Sequence, residues 1–88
     1  MNPREVTTLF DLRVGDEGTV SGEMDADGDR DLALRLFEIG FVDGERVRVV
    51  ARGYPGGEPM AVRVGNTMFA LRRFEAEQVR VTPLREVR

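Results

Sequence analysis

The chain has 88 residues, 41% of them hydrophobic and 33% charged, with a formal net charge of −3; this is one domain of ordinary globular composition, too short to divide its core. Cysteine and histidine are absent and all 13 basic residues are arginine, which removes disulfides, thiolate zinc sites, imidazole acid–base chemistry and lysine-based covalent catalysis. The acidic balance argues against non-specific nucleic-acid binding, and no apolar run approaches membrane-spanning length.

The N-terminus, Met-Asn-Pro-Arg-Glu-Val, carries no apolar signal core, so a cytoplasmic location is expected. Thr7 or Thr8 is placed to cap a short helical turn over Leu9, Phe10 and Leu12, and Val14-Gly15-Asp16 forms a turn. A strand is expected from Glu17 to Met24, with Gly22 marking a bulge. The polar run Asp25-Ala-Asp-Gly-Asp-Arg-Asp reads as a solvated loop whose Asp29 caps a helix. As a calcium loop it fails, because glycine falls at its fourth position and Leu36 stands where a bidentate glutamate should close the site.

A helix to Ile39 follows. Leu32, Leu36 and Ile39, with Ala33 and Phe37, form an apolar stripe expected to face the core, and Arg35 and Glu38 fall outside it. Leu34 lies about 200° around the helix from Leu32 and so off the stripe. Gly40 suits a left-handed C-cap, and Phe41 to Gly44 a tight turn.

The segment ERVRVVAR alternates cleanly, with Val47, Val49 and Ala51 on the apolar face. After the loop Gly53 to Pro59, MAVRV and TMFAL flank Gly65-Asn66 as a hairpin with Val62, Val64, Phe69 and Leu71 inward. One helical turn is expected near Phe74, then a last strand from Val79 to Val81 that Pro83 stops, then a flexible tail after Leu84. Five short strands and one helix in so small a chain favour a closed or half-closed antiparallel barrel, because closure hides strand edges. The fold expected is therefore mainly β, an SH3-like barrel with its core at about residues 9–82 and one helix inserted between the first two strands.

The order LFDLRVGDEGTV, LALRLFEIGFVDGERVRVV, Gly-Glu-Pro, hairpin and ALRRFEAEQVRV resembles the FeoA family of bacterial ferrous iron transport proteins, over about Leu9 to Val81. That resemblance implies an SH3-like fold and a non-catalytic cytosolic role, without a cofactor of its own, beside FeoB, a membrane permease with a GTP-binding domain. Contact with the membrane would be only through that partner. The family usually has proline where this chain has Asp43, and often a basic residue where it has Leu34. Leu34, Arg35, Glu38, Phe41 and Tyr54 are the candidate partner-binding residues, with Gly40 and Gly44 shaping the turns; a second copy of the chain is an alternative partner. Arg46, Arg48, Arg63 and Arg80 are expected on the outer face of the barrel. Similar SH3-like domains occur in metal-dependent repressors of the DtxR type, which offers a regulatory alternative through protein contacts; no helix-turn-helix pattern accompanies the barrel here, so direct DNA binding is not expected.

Overall fold

The computed structural model describes residues 6–22 and 29–84. In chain order these form β1 (Thr7–Thr8), a 3-10 turn (Leu9–Asp11), β2 (Glu17–Val20), α1 (Arg30–Ile39), β3 (Arg46–Arg52), β4 (Met60–Val64), β5 (Thr67–Leu71), α2 (Arg73–Ala76) and β6 (Arg80–Leu84). All six strands join one antiparallel sheet in the order β1-β6-β2-β3-β4-β5. The architecture is mainly β, as the alternating segments require. The barrel is half-closed, since β1 and β5 end the sheet without pairing to each other.

Inward residues of the long strands make the core: Val47, Val49, Met60, Val62 and Val81 are fully buried, together with Leu9 of the 3-10 turn. The hairpin turns on Gly65 at φ +61° with Asn66 at negative φ, and its register pairs Val64 with Thr67 and Val62 with Phe69. Gly18 permits the close packing of β2 on β6, because a β-carbon there would lie 3.1 Å from the Thr82 carbonyl oxygen. At the far end, the loop Gly53 to Pro59 closes tightly: the Gly53 amide donates to Pro59 O at 2.9 Å. A β-carbon on Gly53 would fall 2.0 Å from the Glu58 carbonyl oxygen.

Several local expectations are corrected. The pair Thr7–Thr8 is a short strand against β6 and not only a cap; the hydroxyls of both still donate to the Asp11 carboxylate, at 2.8 and 3.0 Å. The helix consequently follows the second strand, not the first. β2 stops at Val20, and Gly22 is not a bulge but a point of close approach, where a β-carbon would meet the Asp43 side chain at 3.0 Å. The bulge lies instead in β3, between Val49 and Ala51, which turns Ala51 outward and leaves Val50 as the extra residue.

Pro83 does not stop the last strand. It sits buried within β6 opposite Gly18. The Ser21 amide donates to Arg80 O at 2.8 Å, so bonded pairs alternate from there and Pro83 falls at a pair whose backbone groups point away from β2. The missing N–H therefore costs no ladder bond to β2. The expected metal-free acidic loop lies mostly outside the described residues, as does the tail beyond Leu84.

Candidate functional site: a groove beside the helix

Both ends of α1 are set by local chemistry. The Asp29 side chain accepts from the Leu32 amide at 3.0 Å, which satisfies one of the free N–H groups of the first turn. At the other end Gly40, at φ +137°, donates to Phe37 O at 3.2 Å while Phe41 donates to Leu36 O at 3.0 Å, the bond pair of a Schellman motif. That motif folds Phe41 back beneath the helix. There it is 5% exposed and packs against Phe69 with ring centroids 5.2 Å apart.

The helix therefore meets the barrel with a narrower face than its apolar stripe. Leu32 and Leu36 are buried, but Phe37 is 55% exposed and Ile39 44%. This corrects the expectation that Phe37 and Ile39 belong to the core. It also reverses the expected role of Phe41, which is a core residue and not a freely projecting contact. For Phe37 the physical reason is spacing: Leu32 and Leu36 lie within about 40° of each other around the helix, whereas Phe37 is about 100° further round, beyond the arc a small barrel covers; Ile39 lies within about 20° of Leu32 but is the last residue of the helix.

Beside that uncovered flank lies an open groove of about 430 Å³. Ala33, Leu34 and Phe37 form its helical bank, Leu36, Phe41, Val20 and Val79 its apolar lining, and Ser21, Gly22, Asp43, Gln78 and Arg80 its polar rim. Two hydrogen bonds brace the walls. Gly22 donates its amide to Asp43 Oδ1 at 2.8 Å, and Asp29 donates its amide to Gln78 Oε1 at 3.2 Å, tying the start of α1 to the chain before β6. Reciprocal backbone bonds hold the turn after α1 to β2: Gly44 donates to Val20 O and Val20 to Glu45 O, each at 2.8 Å. Gly44 takes φ +91° there, as its place in a tight turn demands.

Of the sequence-predicted residues, Leu34 is 57% exposed on the groove's bank and Phe41 contributes to its lining. Arg35 and Glu38 are exposed on α1, and Tyr54, 97% exposed, stands in the Gly53 to Pro59 loop; none of these three lines the groove. Phe37 is the main residue that sequence reasoning misplaced. Its signal was the apolar i, i+3 pair it makes with Leu34, which marks a second apolar edge on the helix. Asp43, standing where the resemblance predicts proline, instead supplies the acceptor that holds Gly22.

Arg46, Arg48 and Arg63 do project from the outer face, where Glu17 lies 3.9 Å from Arg46 and 3.8 Å from Arg48. Arg80 is half-buried and belongs to the groove rim. The shifted titrations lie elsewhere. The hydrogen bond from the Thr7 hydroxyl, reinforced by Thr8 and opposed by partial burial, holds the Asp11 carboxyl below its ordinary pKa. The Arg73 guanidinium is raised by its hydrogen bond to Glu77. Among the described residues no group of three or more acidic side chains is arranged to hold a metal ion, and no helix is long and apolar enough to cross a membrane.

Comparison with known proteins agrees with this geometry. The FeoA domain family model matches residues 7–83. The crystal structure of Stenotrophomonas maltophilia FeoA, a procaryotic SH3 domain protein complexed with zinc, is 44% identical, with a TM-score of 0.76 over 90% of this chain and 96% of that one. The solution structure of Chlorobium tepidum FeoA is 30% identical, with a TM-score of 0.73 over 90% of this chain and 71% of that one. A manganese-dependent transcriptional repressor is 26% identical, with a TM-score of 0.76, the match covering 92% of this chain but 43% of the repressor. A search of curated proteins gives no match. The fold is SH3-like, and the chain belongs to the FeoA family, which is linked to ferrous iron transport.

Proposed function

We propose that this chain is a non-catalytic, cytoplasmic accessory protein of ferrous iron uptake that docks on the cytosolic, GTP-binding part of a FeoB-like permease through the groove beside α1. The observation that carries the reading is the exposure of Leu34 and Phe37 on the bank of an apolar groove. Two large apolar side chains are left in water although the same helix buries Leu32 and Leu36, an arrangement that suits an apolar segment of a partner inserted between them and the rim. The occupant is an apolar segment of the permease's cytosolic part, since family membership ties the chain to iron transport and the rim supplies Asp43, Gln78 and Arg80 to orient a polar backbone.

The test is capture of the permease's cytosolic domain by the wild-type chain and by Leu34→Arg, with and without guanine nucleotide. Loss of capture at unchanged melting temperature supports the reading; undiminished capture removes the groove from it. A second reading rests on the likeness to the manganese-dependent repressor: the barrel would act as a regulatory domain through protein contacts of the kind such domains make. Capture of a repressor's DNA-binding portion in place of the permease would favour it.

A further inference from the structure

β5 ends the sheet on a stretch with none of the usual protections of an edge. Thr67 to Leu71 reads Thr-Met-Phe-Ala-Leu, without charge or proline, whereas exposed edges are ordinarily guarded by lysine, proline, bulges or brevity. The opposite edge, β1, is guarded by brevity, with two residues. Because a two-residue turn joins β4 to β5, the flanking pair Val64 and Thr67 exchanges hydrogen bonds, as does every second pair beyond it, Val62 with Phe69 and Met60 with Leu71. The N–H and C=O groups of Met68 and Ala70 then point away from β4 along the open edge. Both residues are exposed, and no backbone partner outside the β4–β5 ladder takes these groups among the described residues.

We propose that this edge is a self-association surface, on which β5 of a second copy pairs antiparallel about a two-fold axis at Phe69. In that register Met68 faces Ala70 of the second copy and Ala70 faces its Met68, forming four backbone hydrogen bonds. The outer face accommodates the pairing in size and charge. Within one copy Arg48, Arg63 and Met68 form one cross-strand row, and Ala51, Ala61 and Ala70 form another. The two-fold register sets the arginine row of each copy in line with the alanine row of the other. A large side chain meets a small one twice, and the arginines of the two copies are kept on separate rows, where like charges set directly opposite would oppose pairing. An isologous contact closes on itself, so the product is a dimer with a twelve-stranded sheet and not a fibre.

The experiment is sedimentation equilibrium of the full chain across a range from micromolar to millimolar, with amide hydrogen exchange at both ends of the range. A reversible dimer is expected, with the Met68 and Ala70 amides gaining protection as it forms. Ala70→Pro removes one donor per copy, hence two of the four bonds, without touching the β4 ladder, and weakens the dimer roughly tenfold or more. Met68→Lys, which keeps the backbone unchanged, weakens it as well by adding a charge to each side of the contact. A chain that stays monomeric at millimolar concentration overturns the proposal. So does a dimer in which both variants associate as the wild type does, or in which the Met68 and Ala70 amides exchange at the monomer rate.

Discussion

Removing Leu34 and Phe37 together separates binding from folding in this small domain. Fully burying a leucine or phenylalanine side chain contributes about 1.5–3 kcal/mol. With 57% of Leu34 and 55% of Phe37 still exposed in the free chain, a partner that covers both gains roughly 2–3 kcal/mol from them. The double variant Leu34→Ala/Phe37→Ala should therefore weaken capture of the permease's cytosolic domain roughly 30- to 150-fold. Folding stability should fall by only about 1–2 kcal/mol, because less than half of each side chain is buried in the free chain and alanine, the better helix former, offsets part of the loss. Leu36→Ala is the necessary contrast. At 4% exposed it leaves a cavity and should cost about 2–5 kcal/mol of stability. The measurements are titration calorimetry for affinity and urea unfolding for stability. The reasoning is refuted if the double variant binds as the wild type does, or if it unfolds as readily as Leu36→Ala.

Four other outcomes follow from the geometry. Gly53→Ala forces a β-carbon onto the Glu58 carbonyl 2.0 Å away, so the Gly53 to Pro59 loop must open, with a clear fall in melting temperature by calorimetry. Gly18→Val crowds Thr82 O and the Val81 side chain at 3.1 and 3.3 Å and should destabilise by about 1–3 kcal/mol in urea unfolding. Phe41→Ala should cost about 3–5 kcal/mol as a core truncation, which tests its reassignment from contact to core; an effect on capture with no effect on unfolding would restore the original expectation. The Asp11 carboxyl is held below its ordinary pKa, so its contribution to stability is present above the unfolded-state value and is lost as pH falls through the lowered folded-state value. In a carbon-detected NMR titration, Thr7→Val should move that midpoint upward, towards the ordinary carboxylate value.

The arginines of the outer face illustrate how little an exposed ion pair settles. Arg46 and Arg48 share Glu17 at 3.9 and 3.8 Å, and all three side chains are substantially solvated. Pairs of this kind contribute between nothing and about 1 kcal/mol, so they neither organise the sheet nor identify a partner. The same face gains meaning only through its register, where Arg48, Arg63 and Met68 lie side by side.

What the amino-acid sequence determined by itself was the set of features that depend on neighbours a few residues away. Asp29 caps α1 because its carboxylate reaches the Leu32 amide three residues on, Gly40 ends the helix because the reversal there needs positive φ, and Gly65-Asn66 turns the hairpin for the same kind of reason. The alternation in β3 and β4 likewise named the buried valines correctly. Tertiary structure decided the rest. Whether Pro83 breaks a strand depends on which way its nitrogen points, and at its pairing with Gly18 it points away from β2. Whether Ala51 faces inward depends on a bulge that only the pairing of β3 with β4 reveals. Periodicity showed that α1 has an apolar stripe, but the width of that stripe covered by the barrel is a property of the partner surface. That width leaves Phe37 in water beside Leu34, draws Phe41 into the core, and opens the groove between helix and sheet.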